Sequence, residues 1–147
     1  DVFASSRIGS KIAPQYWQQH PSNSYDLTHE IFAMTHRGAR PFPFQDPSQA
    51  KYAAFMVKSL LGAHMKMNNP DIAAELLINH VQLKLAPGEA VAAGRAFVLK
   101  SQNKDGTFGS YDEAGLRKRK SNPNYTAAVG GFLHTTMVCV WALMETS

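Results

Sequence analysis

The stretch Gln102-Asn103-Lys104-Asp105-Gly106-Thr107-Phe108-Gly109 decides how this chain is read. It has the form Q-x-x-D-G-x-F-G and follows directly on an apolar run, Val91 to Leu99. Asp105-Gly106 suits a tight reversal, because glycine enters the left-handed backbone region without a steric penalty. Phe108 can then fold back onto the helix just left, and Gln102 can bond carbonyls left free at that helix's end. The implied unit is a helical hairpin whose turn is plugged by an aromatic ring.

Working outward, apolar residues recur at helical spacing. A first helix is expected over about 26–36, with Leu27, Ile31 and Met34 on one face and Ser24 or Asp26 as its cap. Gly38 ends it, and Arg40-Pro41-Phe42-Pro43-Phe44 makes a stiff extended loop. A second helix runs from 47 or 48 to 67, with Tyr52, Phe55, Met56, Leu60 and Ala63 forming its stripe. A third covers 71–85, with Ile72, Leu76, His80 and Leu83 on one face and Ala73, Leu77 and Val81 on the next. The fourth, 89–101, and the last, 132–145, are apolar nearly all round, the mark of helices enclosed by others. Residues 102–131 read as one long connection, and no strand alternation stands out. The fold class expected is therefore all-α, antiparallel helical hairpins of about six helices. A short helix near Tyr16 to His20 is included in that number. Residues 1–24 read as an arm pinned by Tyr16 and Trp17, and 25–147 as the helical domain.

The 147 residues suit one domain, and a 44% hydrophobic, 18% charged composition can build a single core. No apolar run approaches the ~20 residues of a membrane span. The net charge of +4 owes much to Arg117-Lys118-Arg119-Lys120. That run lacks the interleaved aromatics or recognisable module of a nucleic-acid surface, so no nucleic acid is expected as a partner. Cys139 is the one cysteine, which excludes an intrachain disulfide and a cysteine-based structural zinc site. With no signal peptide visible, the expected compartment is the cytoplasm.

Six histidines carry the chemical interest: His20, His29, His36, His64, His80 and His134. Asp26 and His29 share the first turn of one expected helix, and His134 lies in the first turn of another. If both turns open on one mouth, a carboxylate and two imidazoles suit a divalent metal such as zinc or iron, with positions left for water or substrate. The same three residues suit acid–base catalysis, since imidazole titrates near neutrality. The plainer alternative is that Asp26 caps its helix and the histidines are structural. His36 and Arg37 near Gly38 are candidates for binding an anion. Tyr111, Asn124 and Tyr125, in the long connection, are candidates for touching substrate. His64 and His80 sit late in their helices, where a cation favours the dipole, and read as structural.

The segment from Ala96 to Gln102 and on through Phe108-Gly109 resembles the repeat signature of the α/α-toroid superfamily. That superfamily includes squalene–hopene cyclases, protein prenyltransferase β subunits and the thioester domains of complement proteins. The run Phe132-Leu133-His134-Thr135-Thr136-Met137 through Trp141-Ala142-Leu143 looks like an inner toroid helix. The resemblance covers about a third of the chain and implies two concentric rings of helices with a ligand cavity at one mouth. The chain has no D-x-D-D, no D-x-C and no Gly-Cys-Gly-Glu-Gln. Fold and cavity are therefore transferred, and no catalytic residue is. Five to seven hairpins usually close such a ring, so the expectation here is an incomplete or half toroid. Another domain, another chain or a symmetric copy would complete it, and the first residue, Asp1, fits the C-terminal part of a larger protein.

Two functions follow as expectations. One is a small-molecule biosynthetic enzyme, of cyclase, transferase or lyase type, with a mostly apolar cavity and His29, His134 and Asp26 at its mouth. The other is a non-catalytic helical module that binds or assembles.

Overall fold

The computed structural model describes residues 23–109 and 127–147, with backbone only for 127–131. Among them are five helices: α1 Ser24–Met34, α2 Pro47–Lys66, α3 Pro70–Gln82, α4 Glu89–Lys100 and α5 Ala127–Glu145. No described residue belongs to a β-ladder; the sole extended pairing is an isolated bridge between Gln102 and Phe108. The arm 1–22, the basic run 117–120, Tyr111, Asn124 and Tyr125 lie outside the described residues.

The helix starts are set by local chemistry. Asp46 caps α2, accepting from the amides of Ser48 at 2.7 Å and Gln49 at 3.1 Å, and Pro47 follows at the first helical position. Asn69 caps α3 in the same way, accepting from the Ile72 amide at 3.3 Å, again with proline next. At the start of α1 the cap position falls on neither Ser24 nor Asp26. Asn23 holds the cap position without a side-chain bond, and Ser24 is buried with its hydroxyl 2.8 Å from His64 Nε2. Three helices stop at residues that turn left-handed without glycine: His36 and Arg37, Asn68, and Lys84.

The helix at the centre is α3, which packs against each of the other four. Ile72 through His80 are all buried, nine residues in succession. Leu76, Leu77 and Ile78 are fully enclosed, and Ala73 and Ala74 let neighbouring helices come close. The closest approach is at Gly94 of α4, where an added Cβ would stand 2.9 Å from Leu77 Cδ2 and 3.1 Å from Leu61 Cδ2. Any side chain there would have to displace packed leucines.

This arrangement corrects the expectation for the apolar helices. α4 buries only Gly94 and Val98. α5 leaves Leu133, Met137, Val140 and Met144 exposed. Both are outer helices, and so is α1. Among the described residues α3 touches each of the other four helices. The last helix also begins earlier than expected, at Ala127, so the connection after α4 is shorter than 102–131.

The quoted turn closes as its residues dictate. Gly106 has φ 86°, and its amide donates to Asn103 O at 3.0 Å. The Thr107 amide and hydroxyl both donate to Asp105 Oδ1, at 3.1 and 2.7 Å. Phe108 is 1% exposed, and its amide donates to Thr136 Oγ1 at 3.0 Å, tying the turn to α5. Gln102 differs from expectation: its amide donates to Gly106 O at 3.1 Å, so it braces the turn instead of the helix end.

Candidate functional site

The buried helix α3 carries polar residues along one stripe: Asp71, Glu75, Asn79 and Gln82. Spacings of four, four and three put them on a single face. That face meets α1. Asn79 Nδ2 donates to Thr28 O at 3.3 Å, and Thr35 donates to Gln82 Oε1 at 2.9 Å. Higher up, the Thr28 hydroxyl donates to Glu75 Oε2 at 2.5 Å. The polar seam thus glues α1 to α3 at its lower end and opens into a cavity at its upper end.

The cavity, about 590 Å³, lies between α1, α3 and α5. Phe32, Ala33, Met137, Val138 and Trp141 supply its apolar walls, and His29, Arg37, Glu75 and His134 its polar groups. Phe32 and Trp141 stack across the gap between α1 and α5, ring centres 5.5 Å apart. This composition, apolar walls with a few convergent polar groups, is the usual form of a small-molecule site. A second cavity of about 330 Å³, beside Asn68, Phe97 and Lys100, has no comparable cluster of titratable groups.

Glu75 is 1% exposed, yet it reaches this cavity. Only one of its oxygens is held by Thr28; Oε1 is buried and makes no hydrogen bond among the described residues. Burial drives its carboxyl above the ordinary carboxylate value, and nearby Asp71 pushes the same way. The Thr28 bond and the two imidazoles oppose that shift. His29 Nδ1 lies 3.9 Å from Oε2 on one side, and His134 Nε2 lies 3.7 Å from Oε1 on the other. His134 Nδ1 is 3.0 Å from Asp71 Oδ1. Tyr25 stacks on His29 with ring centres 3.9 Å apart, and its phenol is also raised, by burial first and then by Glu75 and Asp71.

The two ring tautomers follow from their partners. His29 Nδ1 is 3.0 Å from the Tyr25 carbonyl, which can only accept, so Nδ1 donates and Nε2 keeps the lone pair. By the same argument His134 Nδ1 donates to Asp71, and in the neutral ring its Nε2 presents a lone pair toward Glu75.

The structure therefore brings His29 and His134 into one cavity, from different helices. Asp26 is not among the residues lining it; the carboxylate there is Glu75 of α3, and Asp71, one turn earlier on α3, reaches His134 beside it. Arg37 lines the cavity, whereas His36 is exposed and does not. His64 and His80 are buried and bonded, to Ser24 Oγ at 2.8 Å and Ala86 O at 3.1 Å. Burial pushes both imidazoles below the ordinary value. Cys139 is buried near Pro70, its thiol pushed up to about 12 by burial, so it offers no thiolate. Glu75 and Asp71 escaped the sequence reading because α3 was scored for its apolar faces. The visible signal was an acid four residues after another on a helix otherwise too apolar to face water.

A family described as a domain of unknown function (DUF6895) matches residues 3–144. The chain belongs to the DUF6895 family. No curated protein and no solved structure matches it. The DUF6895 match takes in all the cavity residues described above, from His29 on α1 to Trp141 on α5.

Proposed function

We propose that this chain is a small-molecule biosynthetic enzyme domain that encloses a largely apolar ligand between α1, α3 and α5. The observation that carries the reading is Glu75: a carboxylate 1% exposed, at the floor of an apolar cavity, flanked by two imidazoles. Burying a carboxylate costs several kcal/mol, more than burying the neutral side chains of the same core. In this reading the apolar walls hold the body of the ligand. His29, whose Nε2 is free to accept, moves a proton at the ligand's polar end. Arg37 at the rim attracts a negatively charged head group. The likeness to α/α-toroid proteins supports a cavity of this kind and supplies no reaction.

Methyl NMR tests the reading. Decanol and decanoic acid are titrated into protein with labelled Ala33, Met137 and Val138. Saturable shifts at these residues are expected, and Ala33→Trp should abolish them by filling the space. His29→Ala should keep binding and lose turnover of any ligand so found. No saturable shift with either compound overturns the proposal.

A second reading is favoured by Leu133, Met137, Val140 and Met144, exposed at 50%, 62%, 44% and 71% on α5 at spacings of four, three and four. Such a stripe suits a helix seam, and in this reading the domain is a non-catalytic module that another chain or a symmetric copy completes.

A further inference from the structure

We propose that Glu75 and His134, with Asp71 orienting the imidazole, bind a divalent transition-metal ion of the zinc class at the floor of the cavity. The argument starts from an acceptor that faces an acceptor. Asp71 takes the Nδ1 proton of His134, so in the neutral ring Nε2 turns a lone pair toward Glu75 Oε1. The two atoms are 3.7 Å apart. That is too long for a hydrogen bond, and Oε1 finds no other donor among the described residues. Two lone pairs left facing each other repel, and a cation between them removes the repulsion. An ion about 2.1 Å from each, the usual zinc distance for nitrogen and oxygen ligands, fits such a gap slightly off the line joining them.

Three further observations agree. Ligand atoms of Asp71, Glu75 and His134 all lie within 4.8 Å of one another. Asp71 and Glu75 are one helical turn apart on α3, so both carboxylates rise on the same side from a rigid, buried element. Thr28 holds Glu75 Oε2 and so aims Oε1 at His134 Nε2. Carboxylates and an imidazole without thiolate suit zinc, manganese or iron(II) over softer ions. Two carboxylate charges balance a dication. Two protein ligands, with Asp71 holding the other ring nitrogen of His134, leave positions open on the cavity side, where a bound water or the ligand's polar group would be polarised.

The site differs from the one expected of Asp26, His29 and His134, and the chemistry differs with it. His134 becomes a ligand, and His29, 3.9 Å from the far oxygen of Glu75, stays free for proton transfer. The proposal shares a cavity with the function proposed above but needs no organic ligand. Failure of metal binding leaves the methyl-NMR result standing, and failure of decanol binding leaves the metal result standing.

Isothermal titration of chelator-treated full chain with zinc chloride, repeated with manganese chloride, tests it. Zinc should bind saturably at one strong site per chain. Glu75→Gln, which keeps shape and removes charge, should weaken that site at least tenfold, and so should His134→Ala. Asp71 and His134 have side chains 27% and 54% exposed, so Asp71→Asn and His134→Ala leave the core intact and remain informative if Glu75→Gln folds poorly. Glu89→Gln, on α4, should match the parent. Cobalt(II) at the same site should give the visible absorption of a low-coordinate nitrogen–oxygen complex, lost in His134→Ala. No strong site in the parent overturns the proposal, because protons alone then relieve the facing lone pairs. A strong site unchanged in both His134→Ala and Asp71→Asn overturns it equally, since other histidines would be the binders.

Discussion

The two sides of α3 make the instructive comparison. One side, carrying Leu76, Leu77 and Ala73, is locked against α2 and α4 with no room for a methyl group at Gly94. The other, carrying Asp71, Glu75, Asn79 and Gln82, meets α1 and opens to a cavity. Both sides are buried, so burial alone does not tell them apart. What differs is satisfaction. On the packed side dispersion contacts are complete. On the polar side Asn79 and Gln82 each bond α1 through one amide atom, while Asn79 Oδ1, Gln82 Nε2 and Glu75 Oε1 are left without a hydrogen-bond partner among the described residues. A helix that is core along one stripe and site along another links stability to function through a rigid body.

The comparison breaks most readily on the packed side. Leu77→Ala should lower the unfolding free energy by about 2–5 kcal/mol, the cost of transfer plus a cavity. Gly94→Ala should cost roughly 1–3 kcal/mol by overpacking. Urea unfolding followed by circular dichroism measures both. The two effects should not add, because Leu77→Ala makes the room that a methyl group at 94 needs. Strict additivity would mean that α3 and α4 are not in the close register described.

On the polar side the expected sign is reversed. Glu75→Leu should raise the unfolding free energy by about 1 kcal/mol, since it removes a buried, half-bonded carboxylate. Zinc binding should be lost at the same time. A large loss of stability instead would show that Glu75 is a structural strut, and the contrast between the two sides would fail.

The smallest effect concerns His80, on α3 below its cavity end. Its folded imidazole lies below the ordinary value, chiefly through burial, with Lys58 adding to the shift. The unfolded chain therefore takes up a proton first as pH falls. The stability this group contributes is present above pH ~6.5 and is lost as pH drops toward the folded value. His80→Gln keeps a donor toward Ala86 and cannot titrate. It should flatten the fall between pH 7 and 5, by at most about 1.4 kcal/mol per pH unit. An unchanged slope would mean that His80 is solvated and not part of the packed side.

Much of this molecule was legible without coordinates. Caps, prolines and turn residues act over three or four positions, so Asp46-Pro47, Asn69-Pro70 and Asp105-Gly106 announce their roles locally. The helices follow from them and from 3.6-residue periodicity, and their order and all-α character with it. The bonded, buried state of His64 and His80 accords with a structural reading. Which helix lies inside was not legible, because α3, α4 and α5 are all strongly apolar and only assembly decides which is surrounded. Hydropathy even pointed to the wrong pair. The site shows the same division. That His29 and His134 open on one cavity depends on how α1 and α5 lean on α3, and the role of Glu75 depends on water being excluded from a single oxygen. Distances between residues 29, 75 and 134 are set by packing across the whole fold, and no local rule of the chain encodes them.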